Sequence, residues 1–293
     1  MCLAAFAINA SSRWPLVLAS NRDEFFDRPA LALATWQTQS GHQVISGRDD
    51  QAGGSWLAMS PQGRVALLTN VREAAVQARP LSRGELVIDW LSHDSDARSF
   101  AEKKDAALYG GFNLVMGDLQ RGQWHVWTNR ATDLKSKPPQ PLADGVYSLS
   151  NAALDTPWPK TTALKSALRR ALAASSQADL QSLLFNALSN PARAAIGSLP
   201  NTGVPKELEH GLSSAHVSLP ERNYGTRCAS VIVVAAPSGQ DALAGVAGLA
   251  AHFFRVSFTE VSFLMQPGGT QSAGSPVEVN FTVPKRPRLS ETS

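Results

Sequence analysis

Cys2 can carry chemistry that other cysteines cannot. Removal of Met1, favoured before a small residue, would leave an α-amine and a thiol on the same residue. Their ordinary pKa values, about 7.7–8.0 and about 8.5, are closely matched. The amine can then take the thiol proton as sulfur attacks, which is the activation logic of an N-terminal nucleophile. By position alone, a cysteine second in the chain is simply a small buried apolar residue, and other residues must shift that reading. Asn21-Arg22-Asp23-Glu24, Asn70, Asn151 and Arg227 each end or follow a short apolar run, where side chains can converge at a sheet edge. The amides of Asn70 and Asn151 are neutral donors of the kind an oxyanion hole uses. An arginine near a thiol lowers its pKa, and a carboxylate can hold an α-ammonium. Arg22, Asp23 and Arg227 are therefore the candidates for tuning Cys2 and its substrate. Taken singly, each Asn also fits an Asx-turn and Arg22–Asp23 a surface ion pair.

The elements that would bring these residues together can be read from pattern. Apolar runs at 3–8 and 14–20, with turn-type residues at 9–12, predict a hairpin at the very start of the chain. Asn21 to Glu24 directly follow its second strand. Strands are expected at 45–47, 55–59, 65–69, 112–116, 124–128, 147–150, 228–235, 252–258 and 278–283. Gly53-Gly54 marks a tight turn or a close backbone approach. A helix starts near Ser82, where Ser82 and Glu85 fit a capping box. Further helices are predicted at 96–108, 160–174 and 178–188. Residues 201–223 read as a long loop, and 240–251, rich in small residues, as ambiguous. Strands in hairpin groups with helices inserted in pairs do not match the alternation of a doubly wound sheet. Neither GxGxxG nor GxxxxGK[ST] is present to cradle phosphates.

Composition sets the outer limits. The chain has 293 residues, 43% hydrophobic and 17% charged, enough to bury a large core and too apolar for a disordered chain. Its 27 basic and 24 acidic residues leave +3, scattered rather than clustered, which argues against nucleic acid as a partner. Two cysteines make no disulfide framework, and the six histidines follow no metal-ligand spacing. No apolar run approaches the ~20 residues of a transmembrane segment, and the N-terminus lacks the basic region of a signal peptide. The expectation is a cytoplasmic protein with a single domain over 1–283 and a flexible basic tail over 284–293.

A set of motifs then identifies a resemblance. Met1-Cys2 is followed by Ala19-Ser20-Asn21-Arg22-Asp23-Glu24-Phe25 with Arg28-Pro29, then Gly53-Gly54-Ser55-Trp56-Leu57 and Leu68-Thr69-Asn70. Ser82-Arg83-Gly84-Glu85-Leu86-Val87, Gly111-Phe112-Asn113-Leu114, Ser148-Leu149-Ser150-Asn151, Asp155-Thr156-Pro157-Trp158-Pro159-Lys160 and Tyr224-Gly225-Thr226-Arg227 complete the set. The chain resembles the NRDE protein family, also called the transport and Golgi organization protein 2 family, from Met1 to about Val283. The resemblance implies an α+β fold of the N-terminal nucleophile hydrolase type, a four-layer αββα sandwich with two antiparallel sheets between helical layers. It also implies a likeness to the bile-salt and penicillin V acylase group, in which an N-terminal Cys attacks an amide. Cys2 matches that nucleophile, and Asn70 and Asn151 match the Asn positions. Arg22 and Asp23 are the candidate Arg–Asp pair. The acylase pattern has these three apart, so alignment by spacing puts Asn21 and Glu24 there instead. Arg227 matches a second Arg.

Two functions follow from the resemblance. One is a hydrolase of a non-peptide amide or related acyl bond, needing no cofactor, with a small-molecule acyl compound as substrate. The other is a carrier that uses the same pocket for haem or an acyl ligand, since some members of the family are associated with haem mobilisation. For a carrier, Trp36, Trp56, Trp124 and Trp127 could line an apolar pocket, although core packing also accounts for them. Cys2, His42 and His125 are then the candidate axial ligands.

Overall fold

Alternation along the strands decides which residues face which layer. The computed structural model describes residues 2–74, 79–130, 138–236, 253–266 and 268–285. Over these the chain runs β1 (Cys2–Ile8), β2 (Leu16–Phe25), β3 (Ala30–Gln37), β4 (Gln43–Asp49), β5 (Leu57–Met59) and β6 (Arg64–Asn70). Next come α1 (Arg83–Ser92), α2 (Ala97–Glu102), β7 (Phe112–Asp118), β8 (Gln123–Thr128), β9 (Gln140–Pro141) and β10 (Gly145–Leu149). The last part holds α3 (Pro159–Ala171), α4 (Gln177–Leu188), α5 (Lys206–Gly211), β11 (Ser218–Leu219), β12 (Tyr224–Ala235), β13 (Phe253–Met265), β14 (Gln271–Ala273) and β15 (Val277–Pro284).

The strands form two antiparallel sheets. One has the order β10-β1-β2-β12-β13-β14, with β11 on β12 and β15 on β13, and the other runs β3 through β9 in sequence order. Ala4, Phe6, Ile8, Leu16 and Leu18 of the first sheet meet Ile45, Leu57, Met59, Val65 and Leu67 of the second in the central core. The alternate residues Leu3, Ala5, Ala7, Val17 and Ala19 pack under Leu164 and Leu168 of α3 and Leu180, Leu184 and Leu188 of α4. On the far side, Ala58, Ala66, Leu114 and Met116 pack under Leu86, Val87 and Trp90 of α1 and Phe100 of α2. Helix, sheet, sheet, helix is the layer order that the resemblance implies.

Several local expectations change. Asn21 to Glu24 lie inside β2 rather than after it, because β1 and β12 pair with that strand on both sides and override its low strand propensity. Ser82 is the N-cap of α1 but makes no side-chain cap bond. Glu85 instead accepts a hydrogen bond from the Tyr109 hydroxyl at 2.6 Å. The helix predicted over 96–108 is α2 plus a separate 3-10 turn at Ala106–Leu108, the latter capped by Asp105. Residues 201–223 contain α5 and β11 rather than loop alone. β3 was not anticipated, and most of its residues are exposed. Residues 240–251 lie outside the described residues, as do 286–293 of the tail, while Pro284 closes β15.

Candidate active site

The first residues of β1 open onto a cleft of about 1030 Å³ between the two sheets. Cys2, Arg22, Asp23, Glu24 and Asn70 line it, together with Asp49 and Trp56. Cys2 and Arg22 are direct cross-strand partners, so their side chains share the face that looks toward the second sheet. The same alternation turns Asn21 to the helical side, where its amide donates to the carbonyls of Leu188 (2.8 Å) and Ala215 (2.9 Å). Arg22, Asp23 and Glu24 line the cleft and Asn21 does not, so both residues of one alignment and Glu24 of the other reach it.

Arg22 is fixed from below. Its Nη2 donates to Asp49 Oδ2 at 2.9 Å, and its guanidinium lies over the Trp56 ring at 4.3 Å. Arg28 Nε donates to the same oxygen at 2.7 Å, and the Ala52 N–H to Oδ1 at 3.0 Å. Burial alone would raise the Asp49 carboxyl, but Arg28, the Ala52 N–H and Arg22 outweigh it and hold the group below its usual range. Asp23 is fully buried and accepts a hydrogen bond from Thr226 Oγ1 at 2.8 Å. The Tyr224 hydroxyl donates to the Asp23 carbonyl at 3.0 Å.

Asn70 ends β6 and lines the cleft, and its side-chain amide makes no hydrogen bond among the described residues. Asn151 is buried and does not line the cleft. Its Nδ2 donates to the Asn70 carbonyl at 2.9 Å, and its Oδ1 accepts from Ser150 Oγ at 3.2 Å. Ser150 Oγ shares its single proton between that Oδ1 and the Cys2 carbonyl, which is nearer at 2.9 Å. Asn151 thus ties the end of β6 to the segment that holds Cys2. Arg227 also stands away from the cleft. It sits where the β2–β12 register shifts, a bulge that re-aims its side chain. Its Nη1 donates to the carbonyls of Phe25 (2.7 Å) and Arg28 (2.9 Å), which fixes the turn that carries Arg28.

The Cys2 thiol is raised by burial, with Arg22 pulling it down and Asp23 and Glu24 adding to the rise. The lowering expected from a nearby arginine is present but smaller than the desolvation. Lys160, on α3, is buried and donates to the Leu212 carbonyl at 2.9 Å. Burial pushes it down to about 8, against the pull of Asp23 and Cys2. Sequence reading missed Asp49, and also Arg72, which pairs with Glu209 at the buried back of the cleft. Neither has a local signature, since each acts through a partner far away in sequence. Gly53-Gly54 did carry a signal: a Cβ on Gly54 would come 2.4 Å from the Gly84 carbonyl carbon, so this loop packs directly on the start of α1.

Of the four tryptophans considered for an apolar pocket, Trp56 lines the cleft, whereas Trp124 and Trp127 are buried in the cores and Trp36 packs against one. Of the candidate axial ligands, only Cys2 lines it. Among the described residues no cluster of three or more His, Cys, Asp or Glu is arranged to hold a metal ion. No helix of the described residues is long and apolar enough to cross a membrane.

Comparison with known proteins gives a family. The model of the family described as Transport and Golgi organisation 2 matches residues 1–240. The Bos taurus protein named Transport and Golgi organization protein 2 homolog is 34% identical over 254 residues, 80% of this chain and 88% of its own. The Homo sapiens homolog is 32% identical over 251 residues, and the Drosophila melanogaster Transport and Golgi organization protein 2 is 28% identical over 255, with the same coverage. Among solved structures, a Caenorhabditis elegans ortholog of N-acylethanolamine-hydrolyzing acid amidase is 11% identical with a TM-score of 0.47, covering 79% of this chain and 92% of its own. A mutant conjugated bile acid hydrolase from Clostridium perfringens is 8% identical with a TM-score of 0.47, covering 99% and 100%.

Proposed function

The chain belongs to the Transport and Golgi organisation 2 family, and for this member we propose a cysteine-dependent hydrolase of a non-peptide amide or related acyl bond. The observation that carries the reading is the pairing of Cys2 with Arg22 in register at the cleft, which is also lined by Asn70, whose side-chain amide makes no hydrogen bond among the described residues. With Met1 removed, the Cys2 amine takes the thiol proton and sulfur attacks the acyl carbon. The Asn70 amide donates to the oxyanion, and Asn151 holds the end of β6 in place. Arg22 favours the thiolate, and Asp23 holds the ammonium that forms. The protonated amine then delivers its proton to the leaving nitrogen, which leaves a thioester. Water, deprotonated by the same amine, attacks the thioester and releases the acid and the free thiol.

The carrier reading uses the same cleft, with Cys2 as its one sulfur ligand for haem. One experiment separates the two. Wild type and Cys2→Ser are assayed on a panel of acyl-amides and thioesters, with a haem titration in parallel. The hydrolase reading expects cleavage that collapses in Cys2→Ser. No cleavage by wild type, together with a stoichiometric and spectrally defined haem complex, would replace the hydrolase with the carrier.

A further inference from the structure

Six arginines line the cleft against four carboxylates, and three of the arginines are held in ion pairs. Arg22 and Arg28 share Asp49, and Arg72 pairs with Glu209. Glu73 pairs with Arg130 at 2.6 Å, and Glu24 stands 4.0 Å from Arg22. Arg83 differs. Its guanidinium lies against the Gly110 backbone, where a Cβ would come 3.2 Å from Nη1. Nη1 donates to the Gly111 carbonyl at 3.2 Å. Among the described residues Nε and Nη2 make no hydrogen bond, and no carboxylate lies within ion-pair distance of Arg83. Burial lowers the pKa of Arg83, while Glu24, Cys2 and Glu73 support its charge.

A guanidinium whose Nε–Nη2 edge makes no hydrogen bond among the described residues has the fork geometry that can receive a carboxylate in two parallel hydrogen bonds. Apolar residues line the cleft as well: Leu68, Val71, Val204, Leu208 and Leu212. Such a cleft suits an amphiphile with an apolar chain and one anion. We propose that Arg83 is a specificity residue that binds a carboxylate carried by the acyl compound entering the cleft. The inference rests on the cleft being the acyl site of the proposed hydrolase, and it names the substrate class as an acidic acyl-amide. The carboxylate can belong to the amine half or the acyl half of that compound, and the experiment distinguishes these.

Binding is measured by calorimetry on Cys2→Ala protein, so that turnover plays no part. Octanoylglycine is compared with neutral octanoylglycinamide, and the mono-N-methylamide of octanedioic acid with neutral N-methyloctanamide. One acid is expected to bind roughly 10- to 100-fold tighter than its neutral twin, the scale of a hydrogen bond to a charged group. Which acid does so identifies the half that carries the anion. Arg83→Gln should abolish the preference. Arg83→Lys, which keeps the charge without the fork, should retain part of it and serves if Arg83→Gln does not fold. Equal binding within both pairs, no binding by any of the four, or a preference that survives Arg83→Gln would overturn the assignment. Cys2-dependent turnover without an Arg83-dependent preference would sink this inference and leave the hydrolase standing. The preference without turnover would do the reverse.

Discussion

Two cysteines flank Arg22 on one row of the first sheet. Cys2 pairs with it from β1 and Cys228 from β12. Their burial is nearly identical, 6% and 4% exposed, and burial raises both thiols. What differs is the space each one faces. Cys2 stands where β1 begins and lines the cleft. Cys228 is mid-sheet beside Glu260, which adds to burial in pushing its thiol well above the usual value. Glu260 is itself held by the Leu33 N–H at 2.9 Å and Ser230 Oγ at 3.1 Å, which closes that end of the row. Exposure therefore does not distinguish the two sulfurs in this fold. The place in the strand that each occupies, and the charge beside it, do.

The largest expected difference between the two ends is in turnover. Cys2→Ser should lower kcat/KM by roughly 10⁴-fold or more, the scale seen when one member of a catalytic unit is removed. Cys228→Ala should leave turnover intact and appear only as lost stability, so a matching collapse in Cys228→Ala would break the comparison. Next in size is Asn70, on the Cys2 side. Asn70→Ala should raise the barrier by about 2.7–4 kcal/mol if its amide donates to an oxyanion, read from kcat at saturating substrate. Asp49→Ala acts on Arg22, the residue both cysteines share. Removing one partner of a mostly buried pair should cost about 3 kcal/mol of stability in a urea titration, and an unchanged midpoint would show that Arg22 needs no anchor.

Lys160 sharpens the contrast by pH, because its charge acts on Cys2. The folded protein releases the Lys160 proton near 8, whereas the unfolded chain keeps it until about 10.4. Between these values the unfolded state binds more protons, so stability rises with pH and the contribution is lost as pH falls through 8. From pH 7 to pH 10, wild type should gain about 2–3 kcal/mol relative to Lys160→Met. A constant difference across that range would show that the lysine is not desolvated.

Much of this was legible in sequence for a physical reason. β1 is wholly apolar, as are residues 65–68 of β6 and 231–235 of β12, because both faces are buried there, and such runs are read without knowing their partners. Gly54 declared a close approach because no other residue fits there. The failures share one cause. Asn21-Arg22-Asp23-Glu24 are poor strand formers held in β2 by neighbours far away in the chain. β3 is an edge strand with exposed residues, so it lacks the buried pattern that would announce it. The site was legible as residue types at strand ends, but not as roles. Nothing local tells that Asn151 and Arg227 act through backbone carbonyls while Asn70 faces the cleft, or that Asp49 joins Arg22 to Arg28.

The central claim is that Cys2 is an N-terminal nucleophile, and the mass of the protein caught during turnover tests it directly. Wild type is mixed with a thioester or amide that it cleaves, quenched in acid within the first turnovers, weighed intact and then digested. The account predicts a chain lacking Met1 and carrying one acyl group, with that group mapped to Cys2. Active protein that retains Met1, or an acyl group mapped to Cys228 or any other residue, would contradict it.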